Sequence, residues 1–319
     1  LIGNGVITVA KFIGWFFFFF PSILAEAIHS VADTFNQILL FIGVKHGQAL
    51  ESEKYPFGQG SARYLWNLIS AVGIFFLGFG ITAYHGFHSL ITLNEHPYET
   101  PSLVGTFILI IALIVEGYVF LVALKEVNTK RQRLGFFEYL NQSDDPTTIA
   151  VLLEDGIAVL GVLLALSGLW ISKFFQSALP DAITAIIIAF LLGFMALALA
   201  YINGRLLIGY AAPKTSEAMI RKFLQQQPEV EKIVKLKTLI LGPERVKLTI
   251  ELELHGTAFI DRQQIINDSE KIKNGEEPTP ILFDTSERMI RLIGKGINKL
   301  EKRIYSRFPS IVAIDLEVN

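Results

Sequence analysis

Residues 24–40, LAEAIHSVADTFNQILL, place His29 and Asp33 four positions apart inside an otherwise apolar run. A helix brings positions i and i+4 onto one face, so this spacing stacks an imidazole on a carboxylate. An ionisable group within hydrocarbon costs roughly 2.5–3.5 kcal/mol on insertion scales, so ionisable side chains in such a segment point to a functional site. Taken alone, the pair is half of a metal site, or else a His–Asp hydrogen bond that packs two helices.

The rest of the chain extends this apolar reading. Of 319 residues, 51% are hydrophobic and 18% charged, with 25 Phe. The mean hydropathy is +0.46. That composition is a membrane protein's. A formal charge of −2 gives no reason to expect a nucleic-acid partner. The absence of cysteine removes disulfides, thiolate zinc sites and Cys nucleophiles together, leaving His and carboxylate as the strong metal donors. The chain opens on Leu1 within hydrophobic sequence, without a basic n-region or a small-residue cleavage site. No signal peptide is expected there, and a leader before Leu1 stays open.

Crossing a bilayer takes about 20 mostly apolar residues. Six stretches qualify: 3–20, 22–44, 63–90, 103–124, 148–171 and 181–208. Little more than Pro21 separates the first two, which predicts a tight antiparallel hairpin. Lys45, Lys54 and Arg63 follow the second span, Lys125, Lys130, Arg131 and Arg133 the fourth, and Arg205 and Lys214 the sixth. The opposite side carries mainly the loop 94–100 and Lys173, so both termini are expected on the cytoplasmic or equivalent side. Residues 1–212 thus form a transmembrane domain.

Residues 213–319 read as a small cytoplasmic domain. A capped amphipathic helix over 215–227 stops at Pro228, and two strands meet at a Gly242-Pro243 turn. In the second strand Val246, Leu248, Ile250, Leu252 and Leu254 face one way, and Lys247, Thr249, Glu251 and Glu253 the other. Met289, Ile293, Ile297, Leu300 and Ile304 recur at helical spacing, and Val312, Ile314, Leu316 and Val318 alternate. The order αββαβ predicts a two-layer α+β domain with one covered sheet face. A polar stretch near 256–284 reads as an insertion.

Further ionisable residues interrupt the spans. Glu154 and Asp155 are adjacent in the fifth; neighbours lie about 100° apart on a helix, so one of them points at a shared site, and Asp155 is the choice. Glu116 interrupts the fourth span, as a proton-handling group or a buried carboxyl. Lys11 in the first is read as a structural counter-charge or as snorkelling to the interface. His46, Glu51 and Glu53 read as solvated loop charge, while His85, His88 and His96 lie near the far membrane face.

Six spans plus an α+β tail, with HSVAD at 29–33 and LLEDG at 152–156, resemble the cation diffusion facilitator family of divalent metal transporters. YPFGQGSARYLWNLISA at 55–71 looks like that family's approach to its third span, and LLIGYAAP at 206–213 its exit from the sixth. Within the family, EAIHSVADTFNQ, DPTTIAVLLEDGIAVLG and the ending IDLEVN look like the branch typified by the mitochondrial zinc transporter nine. The likeness covers essentially the whole chain.

The resemblance implies an alternating-access efflux transporter, a Zn2+/H+ antiporter and not an enzyme; no HExxH or GxSxG motif offers a catalytic alternative. Metal and protons compete for the same imidazole and carboxylates. The family's site joins two residues of the second span to two of the fifth, which carries over to His29, Asp33 and Asp155, with Val151 where a ligand usually stands. Asn36, Glu154 after a modest rotation, or a water are the candidate replacements. Such a site is harder than His2Asp2, which admits Mn2+ or Fe2+ beside the favoured Zn2+. The alternative is a scaffold of the same fold that no longer transports. No prosthetic group is implied. The resemblance further implies a homodimer joined through its ferredoxin-like tail, in a bacterial inner membrane or an organelle membrane. With only His255 available in the tail, that domain reads as metal-free.

Overall fold

The computed structural model describes residues 2–18, 20–93, 103–130, 135 and 146–319. Arg131, Arg133, His96 and the loop 94–100 lie outside the described residues. The chain divides into two compact units, Leu1–Ile208 and Gly209–Asn319.

The first unit is helical. Helix α1 spans Ile2–Phe18 and α2 Pro21–Gly47. Helix α3 runs Ala62–Ile91, α4 Leu103–Lys130, α5 Pro146–Phe175 and α6 Leu179–Gly209. Among the described residues five helices, α2 to α6, are long and apolar enough to cross a membrane. Their outward surface is apolar, with Phe41, Phe76, Tyr118 and Phe194 each about two-thirds exposed, the pattern of helices that face lipid.

Pro21 separates α1 from α2 for a local reason. The residue before a proline is pushed out of the helical region, and Phe20 is extended at φ −73°, ψ 126°. Pro21 itself is suited to the first helical position. The amides it exposes find a partner from the far end of the unit: Asp181 of α6 accepts from Ser22 N at 3.2 Å and from Ser22 Oγ. Asp181 N in turn donates to Ser172 Oγ at 3.0 Å. Within α3, residues Ile74–Ile81 widen into a π-helical stretch, a feature frequent at functional sites. The core gathers Ile23, Leu109, Val162, Ile188, Leu192 and Met195.

In the second unit α7 spans Lys214–Gln225, β1 Val230–Gly242 and β2 Arg245–Leu254. Helix α8 spans Arg262–Lys273, α9 Pro278–Arg307 and β3 Ile311–Val318. The sheet order is β1-β2-β3, with β1 and β2 antiparallel and β2 and β3 parallel. The alternation in β2 is realised as burial: Val246, Leu248, Ile250 and Leu252 are all buried, and the last three meet Ile220 and Leu224 of α7 and Leu300 and Ile304 of α9 in one core. The polar stretch 256–284 is helical. Asp261 caps α8 by accepting from Gln264 N at 3.2 Å, and Glu277-Pro278 starts α9 well ahead of its apolar repeat. Asp268 ties the two helices together, accepting from Thr285 Oγ1 at 3.0 Å and from Arg288.

Candidate functional site

Helix α2 presents Glu26, His29, Asp33 and Asn36 at spacings that keep them near one face. Of these, Glu26 is the one that the sequence reading does not single out. His29 is 1% exposed, its Nε2 lies 3.4 Å from Asp33 Oδ2, and neither ring nitrogen makes a hydrogen bond.

Asp33 and Asp155 come together. Both line a cavity of about 20 Å³ whose wall also includes Ser30, Glu116 and Ala158. A space of that size accommodates about one water or a small ion. Asp33 Oδ1, Asp155 Oδ2 and Glu116 Oε2 are buried without a hydrogen-bond partner. An unsatisfied buried polar atom costs about 1–3 kcal/mol, so an accumulation of them around one cavity makes it the candidate site of this unit.

Asn36 and Glu154 are also brought together, but with each other. Asn36 Nδ2 donates to Glu154 Oε1, and Ser70 Oγ donates to Asn36 Oδ1, linking α2, α3 and α5. Both residues are buried, at 2% and 7% exposure. Glu154 and Asp155 therefore point to different partners, as their 100° offset requires. Val151 packs on the seam between α4 and α5 with Ala123, Val127 and Leu152. Among the described residues no three His, Asp or Glu side chains converge closely enough to hold a metal ion in this conformation.

Behind the cavity lies an ion triad. Lys11 of α1 is fully buried and does not snorkel; its Nζ donates to Glu26 Oε2 at 2.9 Å and to Glu116 Oε1 at 2.7 Å. The triad ties α1, α2 and α4 together. An ammonium in one apolar span and unassigned carboxylates in two others were the signal for it, since an intramembrane charge needs a partner. Which carboxylates pair was beyond the sequence.

Away from this centre, His46 Nδ1 accepts from Trp66 Nε1 at 2.9 Å. In the second unit, His255 Nδ1 lies 3.5 Å from Glu231, and Asp315 pairs with Lys247 at 2.7 Å.

Residues 1–208 match the family model described as the cation efflux transmembrane domain. Over 99% of its length the chain is 31% identical to proteins named proton-coupled zinc antiporter SLC30A9, mitochondrial, from Xenopus laevis and Homo sapiens. The chain spans 57% and 56% of those two proteins. It is also 30% identical, again over 99% of its length, to metal tolerance protein C4 of Arabidopsis thaliana, of which it spans 71%.

Proposed function

The chain belongs to the cation efflux family, and from that premise we propose that it carries divalent metal cations across a membrane in exchange for protons, with Zn2+ as the preferred cargo. The observation that carries the reading is the cavity between α2 and α5. Asp33 and Asp155, from the two spans that supply the family's site, line one space, and Asp33 lies 3.4 Å from the imidazole of His29, whose nitrogens make no hydrogen bond. Carboxylate and imidazole bind metal only when deprotonated, so loading the cation releases protons and the reverse step takes them up. Alternating access to this site couples the two fluxes.

The oxygen-rich wall supports Mn2+ or Fe2+ as a second cargo, because hard cations prefer carboxylate to imidazole. The same reading takes α1 as a sixth span and both termini as cytoplasmic or its equivalent. It treats the second unit as a ferredoxin-like dimerisation domain and places the protein in an organelle or bacterial inner membrane.

The test is flux in proteoliposomes. An imposed pH gradient is expected to drive Zn2+ movement, and Asp33→Ala and Asp155→Ala are each expected to abolish it. Zn2+ flux that ignores the pH gradient would remove the antiport, and flux that survives both substitutions would remove the site.

A further inference from the structure

We propose that Glu116 of α4 is a third carboxylate of the cation site, supplying from α4 the donor that Val151 does not supply from α5, with Lys11 as its tethered counter-cation. The proposal rests on the transport reading above and adds a residue outside the α2–α5 pairing.

Glu116 is divided between two environments. Its Oε1 holds Lys11 Nζ at 2.7 Å, while its Oε2 is buried without a partner, and the residue lines the cavity it shares with Asp33 and Asp155. All three carboxylates thus leave one oxygen without a donor beside the same small space. An independent group points the same way. His29 is 1% exposed, both its nitrogens lack hydrogen bonds, and its Nε2 faces the Asp33 carboxylate at 3.4 Å. The carboxylates share the wall of the cavity without converging on one point in this conformation, and a divalent cation that drew them and the imidazole together would satisfy an acceptor set of this composition.

Neutralising Lys11 does not require Glu116. Glu26, fully buried, already takes the ammonium at 2.9 Å, so the second carboxylate leaves the triad with formal excess negative charge on the side of the cavity. Excess charge in a low-dielectric interior is expensive, and either a proton or a metal cation at the cavity offsets it, which suits a site where the two compete. The register of α4 explains why the donor sits there. Phe120, Ala123 and Val127 form the apolar seam that receives Val151 and Leu152, and Glu116 lies one turn before Phe120 on that seam. Val151 fills the seam with hydrocarbon, and the carboxylate enters one level away, beside Asp155.

A structural counter-ion and a cation ligand respond differently to removal of Lys11, and this separates them. Binding of Zn2+ and Mn2+ to the purified full chain in detergent would be measured by calorimetry for the wild type, Glu116→Gln, Glu116→Asp and Lys11→Met/Glu116→Gln, with size exclusion monitoring folding. Glu116→Gln is expected to weaken binding by more than the about tenfold to a hundredfold that loss of an outer-shell partner costs. The double variant, in which no ammonium is left short of a partner, is expected to stay weak. Glu116→Asp, with its charge kept and its arm shortened, is expected to shift the ratio of Zn2+ to Mn2+ affinity by several-fold, and decides the matter if Glu116→Gln does not fold. Wild-type affinity in Glu116→Gln, its return in the double variant, or an unchanged metal ratio in Glu116→Asp would each overturn the proposal. Failure of the transport reading looks different: the wild type itself would bind neither metal, or Asp33→Ala would bind as tightly as the wild type.

Discussion

Gly161→Ala puts the buried triad to a direct test. A methyl group built at Gly161 of α5 would overlap Glu26 Oε1 and sit 3.3 Å from its Cδ. Ordinary van der Waals contact begins at 3.4 Å, so the Glu26 carboxylate has to retreat by about 1 Å. Glu26 has no solvent to retreat into, because it is fully buried and tied to Lys11 Nζ at 2.9 Å. Moving it stretches that ion pair beyond hydrogen-bond range or forces α5 away from α2. Overpacking of this kind costs about 1–3 kcal/mol, and a fully broken buried ion pair about 3–5 kcal/mol, so a loss of about 2–5 kcal/mol is expected. At roughly 2–4 °C per kcal/mol, the unfolding midpoint falls by roughly 4–20 °C.

The assay is thermal unfolding in detergent, followed by the fluorescence of Trp15, Trp66 and Trp170. Two companions give the result its meaning. Gly204→Ala meets nothing within 4 Å and is expected to be neutral or stabilising by up to about 1 kcal/mol, since it removes glycine's conformational freedom from a helix interior. In a Glu26→Ala background Gly161→Ala loses its clash, so a double-mutant cycle is expected to show a coupling of about 1–3 kcal/mol. A Gly161→Ala midpoint equal to that of the wild type, or no coupling to Glu26, would refute the placement of the triad against α5.

Asp181→Ala removes the acceptor for both Ser22 N and Ser22 Oγ at the start of α2, and is expected to cost about 1–3 kcal/mol of stability in the same melting assay. Asp181→Asn, which keeps an acceptor oxygen, is expected to lose less. In the second unit, burial pushes the Asp268 carboxyl up, but hydrogen bonds from Thr285 and Gln264 and the charges of Arg288 and Lys271 outweigh it and hold it below the ordinary 3.8. A carboxyl lowered by folding stabilises fully above its unfolded value and loses that contribution as pH falls through its folded value. The protection of α8 amides, taken relative to the intrinsic exchange rate at each pH from 7 downward, is therefore expected to be insensitive to this group above pH 3.8 and to fall below it, a step that Asp268→Asn abolishes.

Sequence alone determined whatever depends on periodicity and composition. Apolar runs of bilayer length, the alternation of Val246, Leu248, Ile250 and Leu252, and the break at Pro21 each encode local geometry, and a chain has little freedom to contradict them. His29, Asp33 and Asp155 were legible as candidate ligands because ionisable groups are rare and costly within apolar spans. Tertiary structure alone decided the partnerships, because side chains separated by tens of residues meet only through helix packing. It joined Asn36 to Glu154 instead of leaving either free beside Asp33, and turned Val151 into the α4–α5 seam. It took Lys11 from a possible interfacial residue to a buried bridge between Glu26 and Glu116. Spacing within one helix fixes which residues share a face, and the rotation and crossing of neighbouring helices fix what that face meets.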